Sequence, residues 1–350
     1  MKKIPSFNFK PCQLFKRLIQ LLVYAYSLFI ISYFIFRFLL WDGSSVIALI
    51  GIMIPLILLP TFLLPIWALL VKKRRFFIFS SIACIWLLSW LYVNYASPES
   101  VNVAAFQTPI KVLTFNNYWN RTSSQDIITL IEQQKPDLLF LQETTEKHEQ
   151  KTFPTLKLAY PYHASAPSIS LFSKYPIQFA ERLHLAGHKQ FQQRAIIRVN
   201  QQDIVIYNIQ LTSPWIQIRK TFSLFYMPAY VHYARTAETK DLVQRLQKES
   251  LPMIVAGDFN MTDQSQDYHS IKKILKDSFL ASGLGFGFTW PHGWDIRVLV
   301  KKFQWKLNLP LFRIDYIWYS KDWISQDTEV LHAVGSDHLP VETSLFLRGK

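Results

Sequence analysis

Three acid-bearing clusters near the C-terminal end of this 350-residue chain hold the side-chain types that chemistry on phosphates requires. They are Gly257-Asp258-Phe259-Asn260, Arg313-Ile314-Asp315-Tyr316 and Gly335-Ser336-Asp337-His338-Leu339-Pro340. Carboxylates can hold a hard cation, and a histidine can move protons or steady an oxyanion. Each cluster adjoins a strand-like apolar run, over 253–256, 317–319 and 341–346. An isolated Asp after a strand is commonly a turn residue or a helix cap. A whole set of such residues at strand ends has no comparable structural explanation.

The elements that must position these groups are legible as alternating strands and helices. Strands are expected over 111–115, ending at Asn116, and over 138–141, with Glu143 just past the end. Further strands are expected over 168–173, 195–199, 204–211, 253–256, 314–319 and 341–347. Helical spacing covers 125–134, with Ser123 or Ser124 as cap, then 234–247 and 268–276. Asn116, Glu143, Asp258, Asn260, Asp315, Asp337 and His338 thus lie at or near the ends of apolar strands. Strands set side by side bring such ends to one edge, where rigid elements fix their geometry.

Six motifs stand in an order that resembles the endonuclease/exonuclease/phosphatase superfamily over about residues 111–347. They are Val112-Leu113-Thr114-Phe115-Asn116, Pro136-Asp137-Leu138-Leu139-Phe140-Leu141-Gln142-Glu143, Ser170-Leu171-Phe172-Ser173-Lys174-Tyr175-Pro176-Ile177, Gly257-Asp258-Phe259-Asn260, Arg313-Ile314-Asp315-Tyr316 and Ser336-Asp337-His338-Leu339-Pro340. The resemblance implies an α/β four-layer sandwich of two packed mixed sheets flanked by helices, with the site at one end. It implies metal ligation by Glu143 and Asp337 with Asn116 nearby, the ion being Mg²⁺ or Mn²⁺. Asp258 and Asn260 would position and activate water, and Asp315 would orient His338. Either Asp258 or His338 could be the base. Where many members carry Asn-x-His-Leu, this chain has Asn208-Ile209-Gln210-Leu211. Gln210 cannot supply a proton, which implies an altered substrate or a modest rate. Asn208, Gln210 and Arg194 are the expected substrate contacts.

The front of the chain is of a different kind. Through Ala96 it carries ten of the 38 basic residues and one of the 24 acidic ones, so +9 of the formal +14 sits there. The high net charge is therefore mainly a membrane-topology signal and a weak argument for a nucleic-acid surface. Three membrane helices are expected, at about 18–40, 46–71 and 76–96, each long enough for a hydrocarbon core of about 30 Å. Lys2, Lys3, Lys10, Lys16 and Arg17 precede the first, and Lys72-Lys73-Arg74-Arg75 separates the last two. The positive-inside rule then sets the N-terminus in the cytoplasm and everything after about Ala96 outside. A linker over 97–109 leads to a catalytic domain over 110–350. Both cysteines, Cys12 and Cys84, lie in the membrane part, so no disulfide or Cys-based metal site is expected beyond it.

Three stretches suit contact with a lipid interface or a groove: 290–294, the basic-aromatic run 298–311, and the aromatic-rich, acid-free insertion 215–230. The arrangement is similar to membrane proteins of this superfamily associated with teicoplanin resistance. The expected activity is metal-dependent hydrolysis of a phosphate ester or pyrophosphate at the outer membrane face, with a lipid-associated substrate. An exported nuclease and a catalytically weak scaffold of the same fold are the alternatives.

Overall fold

The computed structural model describes residues 11–96, 108–119, 122–221, 225–295 and 306–348. The chain divides into two compact units, Met1–Ser89 and Trp90–Lys350. Most of the expected linker, and residues 298–305 of the basic-aromatic run, lie outside the described residues.

The first unit is helical, with α1 (Pro11–Leu40), α2 (Ser45–Ile57), α3 (Leu63–Leu70) and α4 (Arg74–Tyr95), the last crossing the unit boundary. Arg17–Gly43 and Arg74–Tyr95 are each long and apolar enough to cross a membrane. The middle run departs from the expected single helix: α2 and α3 meet at a short turn, Leu59–Phe62, with a bend of 41°. Among the described residues there are thus two helices of spanning length, or three if the bent pair counts as one span. Pro60 opens the turn; its missing N–H and its ring break the helical ladder. The Tyr26 hydroxyl of α1 donates to the Ile57 carbonyl at 3.0 Å, which satisfies a group freed by the break.

The second unit is built on sixteen described strands. They are β1 (Ile110–Asn116), β2 (Leu138–Gln142), β3 (Tyr162–Ala166), β4 (Ile169–Ser173), β5 (Ile177–Leu183), β6 (Gln192–Val199), β7 (Gln202–Gln210), β8 (Trp215–Thr221), β9 (Phe225–Val231), β10 (Met253–Asp258), β11 (Lys276–Asp277), β12 (Trp294–Asp295), β13 (Lys306–Leu307), β14 (Asp315–Tyr319), β15 (Trp323–Val330) and β16 (Val341–Leu347). The helices that accompany them are α5 (Ser124–Gln134), α6 (Glu146–Lys151), α7 (Phe153–Ala159), α8 (Tyr233–Leu246), α9 (Gln266–Lys272) and α10 (Ser278–Ser282). One six-stranded sheet runs β15-β16-β1-β2-β4-β3 and the other β11-β14-β10-β7-β6-β5; β8–β9 and β12–β13 form separate pairs.

Side-chain alternation explains the layers. Val112, Phe140, Ile204, Ile206, Ile254 and Ile317 pack between the sheets. On β1 and β2 the intervening residues, Leu113, Phe115, Leu139 and Leu141, pack under α5 and α7. Those of β7 and β10, among them Val205, Ile209 and Val255, pack under α8 and α9. Helix α5 starts where the Ser123 hydroxyl accepts from the Asp126 N–H at 3.1 Å. The helix expected over 268–276 runs instead over α9 and gives way to β11, because Ser265 caps it earlier.

Strand polarity delivers the site. β1 and β2 are parallel, as are β7 and β10, so each pair ends at the same edge. β16 is antiparallel to β1, and β14 to β10, so those strands begin where their neighbours end. Asn116, Glu143, Gln210, Asp258, Asp315 and His338 therefore share one edge despite their separation in sequence. Gly257 makes the β7–β10 approach possible: its φ is +143°, and a Cβ there would lie 1.9 Å from the Ile209 carbonyl oxygen. Gly257→Ala is expected to cost about 3 kcal/mol or more, seen as a lower unfolding midpoint of the full chain in detergent. An unchanged midpoint would show that the two strands can separate freely at this point.

Candidate active site

The edge assembles as one connected set of hydrogen bonds. The Asn116 side-chain amide donates to Glu143 Oε1 at 3.2 Å and to Asp258 Oδ2 at 3.0 Å. Gln210 Nε2 donates to the same Glu143 oxygen at 2.8 Å. The Asn260 backbone N–H and side-chain amide donate to the two Asp258 oxygens at 2.9 and 3.0 Å. His338 Nδ1 lies 2.9 Å from Asp315 Oδ2, and its Nε2 lies 4.0 Å from both Asp258 Oδ2 and Asp337 Oδ1. The Ser336 hydroxyl donates to the Asn116 carbonyl at 2.7 Å and accepts from the His338 N–H at 3.1 Å, which ties the last cluster to the first. Glu143 and Asn260 both have positive φ, 53° and 51°. Such backbone costs about 1–3 kcal/mol and persists only where the surroundings hold it.

Burial sets the electrostatics. It pushes the carboxyls of Glu143 and Asp337 up, although His338 and hydrogen-bond donors oppose the rise. Asp258 is pushed up to about 8, again mainly by burial, with Asp315 and Glu143 adding to the effect. At His338 burial works against the charged ring, but Asp315, Asp258 and Asp337 outweigh it and raise its pKa to about 10. The imidazolium is therefore the form held at neutral pH, with Nδ1–H on Asp315 and Nε2–H turned toward Asp258 and Asp337.

The residues present fit a hard divalent cation. Among the described residues, Glu143 Oε2 and Asp337 Oδ1 are buried carboxylate oxygens with no hydrogen-bond partner. Buried charges are ordinarily paired or bound to metal. Asp258, Asp315 and His338 also bring one ligand atom each within 4.8 Å of the others. That second grouping is the poorer seat, since Asp315 already holds His338 Nδ1 and the ring is cationic. Hard oxygen donors make Glu143 and Asp337 the better pair.

Three expectations change in the folded chain. Asn116 turns its amide oxygen to the Tyr118 N–H at 3.0 Å, so it links Glu143 to Asp258 as a donor instead of offering an oxygen to a cation. Asn208 is fully buried beneath the site: it accepts from Gln142 Nε2 at 2.8 Å and donates to the Ser170 carbonyl at 3.0 Å, leaving no substrate contact. Arg194 faces away altogether. It pairs across the sheet with Tyr207, on the α8 side, whereas Asn208 and Gln210 point toward the other sheet. Its guanidinium grips Glu249 at 2.6 and 3.0 Å. Gln210 does reach the site, and there it supports Glu143.

Further contributors emerge from the fold: Gln192 and Thr289 had no sequence signal of their own, whereas Trp290 belongs to the 290–294 stretch expected at a groove or lipid interface. Gln192 clamps the backbone of Gln210, accepting from its N–H at 2.6 Å. Trp290 Nε1 donates to Asp337 Oδ2 at 3.1 Å, which gives the 290–294 loop a place in the site. The Thr289 hydroxyl accepts from the Ile314 and Asp315 N–H groups at 3.2 and 3.3 Å. Only pairing across strands reveals these roles.

The Arg194–Glu249 pair yields a stability prediction. Burial alone would raise the Glu249 carboxyl, but bonds from Arg194 and Tyr207 hold it below its ordinary value of 4.5. A depressed carboxyl stabilises the fold above its unfolded pKa, and that stabilisation fades as pH falls through the folded value. Glu249→Gln is expected to cost about 1–2 kcal/mol at pH 7 and progressively less as pH falls below 4.5, read from denaturant unfolding across that range. A gap that does not shrink on acidification would contradict the assignment.

The family model described as the endonuclease/exonuclease/phosphatase family matches residues 100–338. A search of curated proteins finds no match. Among solved structures, an endonuclease/exonuclease/phosphatase protein from Bacteroides vulgatus has TM-score 0.51 and 17% identity, covering 69% of this chain and 100% of its own. A family protein from Bacteroides thetaiotaomicron has TM-score 0.51 and 16% identity, covering 69% and 96%. A humanized TDP2 of D. rerio has TM-score 0.50 and 15% identity, covering 68% and 99%. At these identities the structures speak for the shared fold. With the family matched over most of its length, the chain belongs to the endonuclease/exonuclease/phosphatase family, whose enzymes are hydrolases of phosphoester bonds.

Proposed function

We propose that the chain is a membrane-anchored, divalent-metal-dependent phosphoesterase that cleaves a phosphate ester or pyrophosphate of a lipid-associated substrate at the outer membrane face. The observation that carries this reading is the pair of buried oxygens without a hydrogen bond, Glu143 Oε2 and Asp337 Oδ1, beside the His338 ring that Asp315 holds at 2.9 Å. Glu143 and Asp337 would hold Mg²⁺ or Mn²⁺, which supplies a Lewis acid for a phosphoryl oxygen. Asp258, fixed by Asn260 and Asn116, orients the attacking water and, in its ionised form, takes the water's proton; burial raises its pKa to about 8, so that form gains as pH rises and is a stronger base than an ordinary carboxylate. His338 steadies the phosphoryl oxygens or the leaving oxygen through Nε2–H, while Asp315 keeps the ring charged and aligned. The apolar helices and the basic loop 72–75 support the anchored, outward-facing arrangement.

Two experiments on the full chain test this reading. In proteoliposomes with Mg²⁺, hydrolysis of a chromogenic phosphodiester is expected to be abolished by EDTA and cut by about 10²–10⁴ in Asp258→Ala and in His338→Ala. Full turnover in either variant would remove the site assignment. A panel setting vesicle-borne phospholipid and polyprenyl pyrophosphate against plasmid DNA identifies the substrate class, and cleavage of DNA alone would replace the lipid reading by a nuclease. The second experiment is a pH–rate profile. His338 acts protonated, with pKa about 10, so activity should fall on the alkaline side. Asp315→Asn removes the charge that favours the imidazolium, so the alkaline limb should move to lower pH by about one unit or more. An unmoved limb would show that some other group governs it.

A further inference from the structure

We infer that the β8–β9 hairpin is a bilayer-contact surface that seats the rim of the active site on lipid. The inference deepens the lipid-associated reading above and rests on it for the substrate alone. Register fixes the faces of the hairpin. Ile216 lies opposite Tyr230 and Ile218 opposite Pro228, so these four share one side; Trp215, Gln217, Ala229 and Val231 share the other. Ala229 and Val231 are buried, whereas Ile216 and Ile218 are 57% and 63% exposed. Trp215 packs edge-on against Tyr233 with ring centres 6.0 Å apart, and both rings remain largely exposed. The hairpin joins neither six-stranded sheet, and a two-stranded ribbon is marginal by itself in water. Adjacent exposed Ile side chains on such a ribbon call for a covering surface.

Composition commits that surface to lipid. The sequence from Trp215 to Val231 has no acidic residue and includes one arginine and one lysine, and Trp215 and Tyr230 are amphipathic rings of the hairpin. Apolar, aromatic and basic groups without acids suit an anionic bilayer interface. The chain brings a bilayer within its own reach through α1 and α4. The hairpin is also joined to the catalytic edge. It begins five residues after Gln210, and the buried Arg235 donates to the Tyr230 hydroxyl at 3.0 Å and to the Asn260 carbonyl at 2.7 Å. One guanidinium, held in turn by Asp267 at 3.0 Å, thus bonds both the returning strand and the loop that props Asp258. Seating the hairpin orients that loop toward head groups.

The test uses the full chain in phosphatidylcholine–phosphatidylglycerol proteoliposomes, with Cys12→Ser and Cys84→Ala so that one introduced cysteine carries an environment-sensitive fluorophore. Ile216→Cys and Ile218→Cys report on the hairpin; Leu158→Cys, on α7 and 88% exposed, is the aqueous control. Lipids with nitroxide-labelled acyl chains are expected to quench the hairpin labels at least about threefold more than the control. Equal quenching at all three positions overturns the inference. So does a signal that follows protein density and not nitroxide content, which would assign the face to a second copy of the chain. In parallel, the double variant Ile216→Asp/Ile218→Asp should lower turnover of a vesicle-borne phosphoester about tenfold and leave a soluble diester unaffected. Quenched labels with no vesicle-borne ester cleaved by the unaltered chain keep the contact surface and remove the lipid-substrate reading. Cleavage with unquenched labels keeps that reading and removes the surface.

Discussion

Gathering four carboxylates, Glu143, Asp258, Asp315 and Asp337, around a single buried imidazole is the constraint to which the second unit answers. Like charges in a low-dielectric edge repel and lose their hydration, which is why Glu143, Asp258 and Asp337 all hold their protons more tightly than they would in water. Two compensations are visible. His338 carries positive charge amid three of the acids, and side-chain amides from Asn116, Asn260 and Gln210 point their N–H groups inward. One oxygen each on Glu143 and Asp337 is left without a hydrogen bond, and there a cation would complete the balance.

Beneath that edge lies a polar layer between two otherwise apolar sheet faces. Gln142 spans it, donating to Thr114 in its own sheet at 3.1 Å and to Asn208 of the facing sheet at 2.8 Å. Thr114, Gln142, Asn208 and Ser170 are linked there by hydrogen bonds, so this part of the layer tolerates burial and sets the register of one sheet against the other. The facing sheets are thus locked just below the groups whose spacing matters for chemistry. Within one sheet, the buried Arg313, just before β14, holds Asp277 of the neighbouring β11 at 2.7 Å.

Much of this was legible before folding because the central strands announce themselves. Runs such as Leu138–Leu141 and Met253–Ala256 are buried on both faces and read as unbroken apolar stretches, and Glu143 and Asp258 sit just past where those runs stop. Edge strands carry no such signal. β5, with Gln178 and Glu181 among its residues, is largely exposed, and β3 and β15 are mixed, so all three escaped notice. The membrane part was legible in its hydropathy but not in its shape, since prolines in an apolar run are compatible with a kinked span as well as with a break. Arg194 shows the limit most clearly. Its type suits phosphate binding, yet one residue's difference in strand parity puts it on the wrong side of the sheet. Partnerships such as Gln192 with Gln210, or Trp290 with Asp337, join segments whose proximity only the fold creates.

The left-handed backbone at Glu143 and Asn260 has a bearing on how robust this fold can become. Glycine would relax either position, and at 143 it would also remove one of the buried negative charges. At 143 a domain stripped of its chemistry would shed both the strained backbone and the buried charge, at the loss of the bonds from Asn116 and Gln210. Heat tolerance and turnover therefore pull in opposite directions at these two positions, and reinforcement has to come from elsewhere, such as the exposed edge strands.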